Sequence, residues 1–493
     1  MAICDSMLIR FLLVAALAAM YQYINQRPQA VLPTRIIGLF PEAKSLATCL
    51  GGVAGIQAVL LPGDEGFAAA ALGDNRAFAS TPAAIVYPKT TQDVQGVVAC
   101  ARASGVRAVP RSGGHSYEGY SVQTGTVLVD LSGLDFFTPG PGDASARVGP
   151  GNRLGPLHYK AWTQMGRVFP GGVCPHVGVG GLILGGGIGP LSRTFGLLSD
   201  SLTEVEVVLY NSTMFDPGDN GKVVAFQIEW PTYDVIPDVL EAVQAWLRTA
   251  PDELNADAIL GFGNVQVSGV YVGTLESFEP LFAQSGLTDI PGYQASSRAP
   301  FRNSLAVSTR FIDLVLLYGE YTMGLQGSGE ITDLLLGPET SATRHPAPSK
   351  YKSALISTLL PRAALAVIRD HIARSRDCAY LEIRALGGAI ARVSAEATAF
   401  PHRSATFSFQ WQVSWEQENE EHKAAQTGWL TDFYSALQPY LGTPRAYVNY
   451  LDRDLAESSA QYFGSNLERL QKIKLAYDPL DYFRNPQSVQ LPG

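Results

Sequence analysis

The stretch "GGVCPHVGVGGLILGGGIG", residues 171–189, sets nine glycines among nineteen positions and a single cysteine, Cys174, in their midst. Glycine has no Cβ, so such a run lets the backbone approach another backbone, or a large flat or phosphorylated ligand, closely. Neither the dinucleotide fingerprint G-x-G-x-x-G nor a Walker sequence occurs in it. Taken alone, the stretch also suits a compact loop around a buried thiol. It raises a question of partnership, because no second cysteine stands nearby to bridge Cys174.

The chain around this stretch has 493 residues, 46% hydrophobic and 16% charged, enough for a large core and two domains. A net charge of -9 argues against a nucleic-acid phosphate partner and suits small neutral substrates. The N-terminus carries Arg10 ahead of an apolar stretch from Phe11 to Met20, with Ala16 and Ala18 at cleavage-like spacing. It reads as a secretory signal over residues 1–18, the alternative being an uncleaved anchor. Secretion favours oxidised thiols. Cys4 leaves with the signal, and Cys49 and Cys100 flank one apparent subdomain, so a disulfide between them is expected. Cys174 and Cys378 stay unexplained at this point, Cys378 being most simply a half-buried apolar residue.

Residues 83–121, "AAIVYPKTTQDVQGVVACARASGVRAVPRSGGHSYEGYS", read as strand, helix, strand and glycine turn. Thr91 is placed to cap the helix, whose apolar positions Val94, Val97, Val98 and Ala101 have helical spacing. A second α/β pattern, "VLVDLSGL" then "LGPLHYKAWTQMG", leads into the glycine run. From Val223 the texture changes to strands and helices without a phosphate loop, as expected of a separate α+β domain. The final segment is amphipathic, with Leu467, Leu470, Ile473 and Leu475 as an approximate stripe, and is expected to pack back onto the first domain.

In "RSGGHSYEGYS", residues 111–121, Gly113 and Gly114 allow N–H groups to turn toward an anion, although such a turn is commonly only a turn. Together with Cys174, 59 positions after His115, it resembles the berberine-bridge-enzyme group of the FAD-linked oxidases, which share the vanillyl-alcohol-oxidase fold. "YVNYLDRDL" (447–455), "FSFQW" (407–411) and "YFGSNLERLQKIKLAYDPLDYF" (462–483) continue the likeness in the family's order, most closely to fungal oligosaccharide oxidases. Cys49 and Cys100 match a disulfide of that family.

The resemblance implies an α+β fold of two domains: a PCMH-type FAD-binding domain over 45–221, an antiparallel sheet with helices as substrate domain over 222–435, and a C-terminal segment, 436–493, returning to the first. It implies FAD held bicovalently, through its 8α carbon by His115 and through C6 by Cys174, which gives the thiol a flavin for a partner. Arg111, Ser112, Gly113, Gly114, Ser116, Gly178, Val179, Gly180, Gly181, Gly185, Tyr447 and Asn449 are the further cofactor-side candidates. Tyr450 is the candidate base, Gln410 lines the pocket, and Tyr117, Arg384 and Glu382 face substrate. Strand alternation would send Tyr447 and Asn449 to one face and Tyr450 to the other. The implied activity is that of a secreted monomer oxidising a hydroxyl of a carbohydrate or similar alcohol, with dioxygen returning the flavin to its oxidised state.

Two features depart from the pattern. Only "NSTMFDPGDNGK", residues 211–222, stands where the family carries a long insertion that completes the flavin domain. Loss of an interior strand would expose backbone and core. Retention of His115, Cys174, Gln410 and Tyr450 argues for dropped coding sequence over a rearranged or degenerate relative, and the sequon at Asn211 then carries little meaning. Arg384, three residues before Gly387, occupies a position usually aspartate in the oligosaccharide oxidases, with Glu382 expected to pair with it. Oxidation or oxidative cyclisation of a secondary metabolite, and a flavin-fold protein that binds without turnover, are the alternatives. There is no G-x-S-x-G or H-E-x-x-H element, and His176 beside Cys174 does not make a metal site, so none is expected.

Overall fold

The computed structural model describes residues 46–143, 145–202, 222–296, 301, 304–315, 347–375, 379–416 and 419–493. The signal reading, Cys4, Cys378, Asn211 and all but the last residue of the short junction lie outside them.

The first layer is a four-stranded sheet of β1 (Val59–Leu60), β2 (Ala84–Val86), β3 (Ala108–Arg111) and β4 (Val127–Asp130), ordered β1-β2-β4-β3. β2 and β3 run parallel to β4, and both β2 and β4 are wholly buried, as parallel strands covered on two faces should be. Helix Thr91–Ala103 crosses from β2 to β3. Its cap is Thr90, not Thr91: Thr90 is extended and accepts the Asp93 N–H, while the Asp93 carboxylate accepts the Thr90 N–H. A Cys49–Cys100 disulfide fastens the short helix Leu46–Gly51 to this crossover, as expected.

A two-stranded ribbon, β5 (Phe137–Pro139) with β6 (Ala146–Val148), and helix Leu154–Met165 precede the glycine run. The second layer is an antiparallel sheet of β7 (Lys222–Trp230), β8 (Leu254–Gly261), β9 (Asn264–Tyr271), β10 (Gln294–Ala295), β11 (Ala306–Arg310), β12 (Ser349–Ile356), β13 (Tyr380–Ala385) and β14 (Phe407–Ser414). Its order is β10-β7-β9-β8-β13-β14-β12, with β11 also on β7. Helices Ile236–Leu247, Arg362–Ile372 and Glu420–Leu441 share one core with one face of this sheet.

Period-two alternation sorts the strands sharply. Phe407, Phe409, Trp411 and Val413 of β14, Leu381 and Ile383 of β13, and Leu254, Ala256, Ala258 and Leu260 of β8 enter the helix-side core. Ser408, Gln410 and Gln412, Tyr380, Glu382 and Arg384, and Asn255 and Asp257 therefore share the other face. A polar face this buried is unusual for a sheet whose role is only structural, and it is where the site lies.

Helix Glu420–Leu441 runs through position 435, and the chain then returns to the first sheet, where the Tyr482 hydroxyl accepts the Ala108 N–H at 3.0 Å and donates to the Val106 carbonyl at 3.0 Å. The expected apolar stripe on helix Leu467–Tyr477 is not buried: Ile473 and Leu475 are exposed, because the segment docks through Asn466, Arg469 and Tyr482 instead.

Candidate active site

β3 delivers the chain to the 111–117 turn. Arg111 at its end is buried and committed to structure, bonding the Asp130 carboxylate of β4 and the carbonyls of Ala70 and Leu72. Beyond it, Gly113 meets Gly178 backbone to backbone: a Cβ on Gly113 would lie 2.2 Å from the Gly178 nitrogen. This contact docks the histidine turn on the glycine run. Ser112 ties the same seam, its hydroxyl donating to the Pro150 carbonyl at 2.5 Å and accepting the Gly180 N–H at 3.3 Å. The Ser116 hydroxyl accepts the Tyr120 N–H and closes a local turn, while the Val179 N–H bonds the Asn152 carbonyl and ties the glycine run to the segment before helix Leu154–Met165. Beside Gly181 a Cβ would meet nothing within 4 Å, and the Gly114 backbone is similarly open except toward the Arg111 side chain.

The two ends of the run cross where a Cβ on Gly189 would strike the Gly171 carbonyl oxygen, a constraint only glycine satisfies. From the far end of the chain, Tyr447 clamps the run: its hydroxyl accepts the N–H groups of Gly187 at 2.9 Å and Ile188 at 3.2 Å, and the Asn449 amide at 2.8 Å. Asn449 also donates to the Leu182 carbonyl and fills the space beside Gly185. Residues 447–450 form a turn, with the Tyr450 N–H on the Tyr447 carbonyl, so the strand alternation expected there does not occur. Tyr447 and Tyr450 instead touch edge to face, with ring centroids 4.9 Å apart. No local signal in Tyr-x-Asn-Tyr distinguishes the two conformations.

Tyr117, two residues past His115, stacks on Tyr351 of β12 at 3.6 Å and on Tyr450 at 5.5 Å, and its hydroxyl accepts the Gln410 amide at 2.9 Å. Its ring is thereby engaged with protein aromatics. Burial pushes the Tyr351 phenol up, and the charges of Asp74 and Cys174 push it further. Sequence reasoning passed over both Asp74 and Tyr351. Asp74 lies 3.6 Å from His115 Nδ1.

On the polar sheet face, Arg384 bonds Glu382, as expected, and also Asp257 of the adjoining strand at 3.1 Å. Asp257 was missed as well, although the polar alternation of "LNADAILG" is its signal. Burial raises Asp257 to about 6 against the opposing pull of Arg384. Tyr450 is pushed well above the ordinary phenol range by burial; Arg384 pulls it down, while Glu382 pushes it up.

One feature of this constellation points beyond the chain: His115 Nε2 is buried and has no protein partner. Polar atoms in that state call for a ligand. His115 and the half-buried Cys174 sit on turns docked through Gly113 and Gly178, with the open backbone of Gly114 and Gly181 beside them, an arrangement that fits a large flat cofactor.

Comparison with known proteins agrees. A family model for an FAD binding domain matches residues 82–217, and one described as berberine and berberine like matches residues 446–490. FAD-linked oxidoreductase sorD of Penicillium rubens is 30% identical, with 91% of this chain and 98% of that protein aligned. The chain belongs to the berberine bridge enzyme-like family of FAD-linked oxidoreductases. Among solved members, Physcomitrella patens BBE-like 1 superposes with a TM-score of 0.81 at 28% identity, covering 91% of this chain and all of that one. A chitooligosaccharide oxidase shares the fold, with a TM-score of 0.78 at 22% identity. The alignment to sorD spans 505 positions against a chain of 493, so this berberine bridge enzyme-like protein lacks segments its relative has.

Proposed function

We propose that this family member oxidises a hydroxyl of a carbohydrate or similar alcohol, with FAD attached to both His115 and Cys174. The observation that carries the reading is the convergence of Tyr117, two residues past His115, with Gln410 and Tyr450. When bound, the flavin supplies the hydride acceptor at N5, with dioxygen taking the electrons onward. The chain's own part is placement and proton handling. Tyr450 takes the substrate's hydroxyl proton, and Arg384 supplies the positive charge that makes a buried tyrosinate accessible. Gln410 and Tyr117, bonded to each other, orient the hydroxyl. The polar face formed by Glu382, Arg384 and Asp257 suits a hydroxyl-rich substrate. The solved neighbours named as a chitooligosaccharide oxidase and as a glucose oxidase variant of Phl p 4 support the substrate class. Export through the N-terminal segment completes the proposal.

A second reading, oxidation of a nitrogenous secondary metabolite, draws on the 26% identical reticuline oxidase of Eschscholzia californica and on Arg384 in place of aspartate. The test is acid precipitation with peptide mapping of retained flavin, followed by a peroxide-coupled screen of sugars, oligosaccharides and alkaloids. Flavin on peptides containing His115 and Cys174, with turnover of a sugar that Tyr450→Phe lowers by about 10²–10⁴-fold, is expected. A colourless pellet, or turnover of alkaloids alone, refutes the first reading.

A further inference from the structure

Tyr450 lies on a turn that one strand holds from both of its faces. On β12, the edge strand of the large sheet, Ala354 and Ile356 enter the helix-side core, so Lys350 and Lys352 share that face, while Tyr351 and Ser353 look onto the site. Tyr447, three residues before Tyr450, donates its N–H to Ser353 Oγ at 3.1 Å. Asp452, two residues after Tyr450, reaches the opposite face: Lys350 Nζ lies 2.7 Å from its Oδ1 and Lys352 Nζ 2.8 Å from its Oδ2. The chain therefore rounds the sheet edge between 447 and 452, with Tyr450 between the two anchors. The Asp452 side chain is 3% exposed, and Lys350 also meets Glu118 at 2.9 Å and Asp454 at 3.0 Å. Buried pairs of this kind gain little stability over apolar packing, yet they hold in one geometry only. The other ties of Asp452, its N–H on the Tyr462 hydroxyl and its carbonyl on the Gln487 amide, stay within the C-terminal segment. The carboxylate is what fastens the far side of the turn to the sheet.

We propose that Asp452 is a positioning residue for Tyr450: gripped by Lys350 and Lys352, it fixes the turn that carries the base against β12, and with it the place of the phenol beside Tyr117 and the substrate hydroxyl. The inference rests on the reading of Tyr450 as the base and adds how that base is held. Tyr117 has its own tie to β12, because Asn75 donates to the Tyr117 carbonyl at 2.7 Å and to the Ser349 carbonyl at 2.9 Å. Release of Asp452 therefore shifts the base more than the groups that orient the hydroxyl. Displacement and charge act on Tyr450 with opposite signs. Removing a negative charge from the neighbourhood makes a phenolate easier to form, whereas drawing the phenol away from Arg384, the cation that pulls it down, makes it harder.

The test uses the flavin-loaded protein and whichever of glucose, cellobiose and N,N′-diacetylchitobiose the wild type oxidises fastest, followed by peroxide release. Asp452→Asn keeps the shape and removes the charge. The double variant Asp452→Asn with Lys352→Met also removes the lysine that would otherwise stay buried without its counter-ion, and it carries the test if the single variant does not fold. Folding is checked by circular dichroism and by flavin content. We expect kcat to fall by about tenfold or more with KM within about threefold of wild type, since a misplaced base slows the chemical step without weakening binding. The acidic limb of the pH profile of kcat/KM is expected to move to higher pH, the sign of displacement from Arg384. A smaller fall in kcat, a larger change in KM, or a limb that stays or moves to lower pH overturns the proposal. Failure of both variants to fold overturns it as well, because the carboxylate would then serve stability alone. Turnover by Tyr450→Phe close to that of wild type overturns the base reading and this inference with it, and a wild type that oxidises none of these sugars overturns the proposed function; both results are read without any change at Asp452.

Discussion

Replacing Tyr447 by phenylalanine separates two roles that the sequence pattern alone does not distinguish, clamping the glycine run and touching the cofactor. The Tyr447 ring is 1% exposed, and its hydroxyl accepts three hydrogen bonds, from the N–H groups of Gly187 and Ile188 and from the Asn449 side chain. Tyr447→Phe leaves the ring packing intact and removes only the acceptor. Asn449 keeps the Leu182 carbonyl, so its loss is small. The two backbone donors lose a buried partner, at roughly 1–3 kcal/mol each, with the longer Ile188 bond at the lower end. The sum is about 2–4 kcal/mol, a large share of the stability of a typical domain. Urea unfolding of the disulfide-intact protein, followed by tryptophan fluorescence, should show the unfolding free energy falling by that amount, through a lower midpoint at unchanged m. Flavin retained on His115 and Cys174 peptides should be unaltered in proportion. A loss below about 0.5 kcal/mol, accompanied by a changed flavin spectrum, would refute the clamp and assign the phenol to the cofactor.

Other outcomes follow from the same geometry. Gly178→Ala places a methyl group 2.0 Å from the Gly113 nitrogen, so the two turns must separate; flavin content after purification should drop sharply, while Gly181→Ala, whose added methyl meets nothing within 4 Å, leaves the fold unaltered by calorimetry. Arg384→Met removes the charge that opposes burial at Tyr450, and the acidic limb of the pH profile of kcat/KM should move upward by about one pH unit or more, since the phenolate becomes harder to form. Asp257, raised from 3.8 to about 6, favours its uncharged form in the fold, so its contribution to stability is best below about pH 4 and is lost as pH rises to about 6. Asp257→Asn should accordingly flatten the fall in unfolding free energy between pH 4 and 7 by roughly 2–3 kcal/mol, measured by urea titration at each pH. Cys49→Ser opens a loop whose ends are 51 residues apart, and thermal and urea unfolding should report a loss of about 4 kcal/mol.

The sequence by itself determined the order of motifs, the Cys49–Cys100 pair and the Glu382–Arg384 contact on one strand face. Each of these is carried by spacing along one segment or by a motif order that needs no knowledge of the partner segment. The tertiary structure alone decided what meets what. Asp257 reaches Arg384 from 127 residues away, Tyr447 clamps Gly187 from 260 residues away, and Asp74 faces His115 from a segment with no motif of its own. It also decided that Tyr447 and Tyr450 share a turn, because the hydrogen bonds that hold that turn come from the glycine run and from Ser353 of β12, and local alternation has no access to them. The Arg111 guanidinium, on a residue named as a cofactor-side candidate, is likewise a buried brace on Asp130 of the neighbouring strand. A charged or polar group in a low-dielectric interior takes the partner nearest in space, and chain separation has no bearing on that distance.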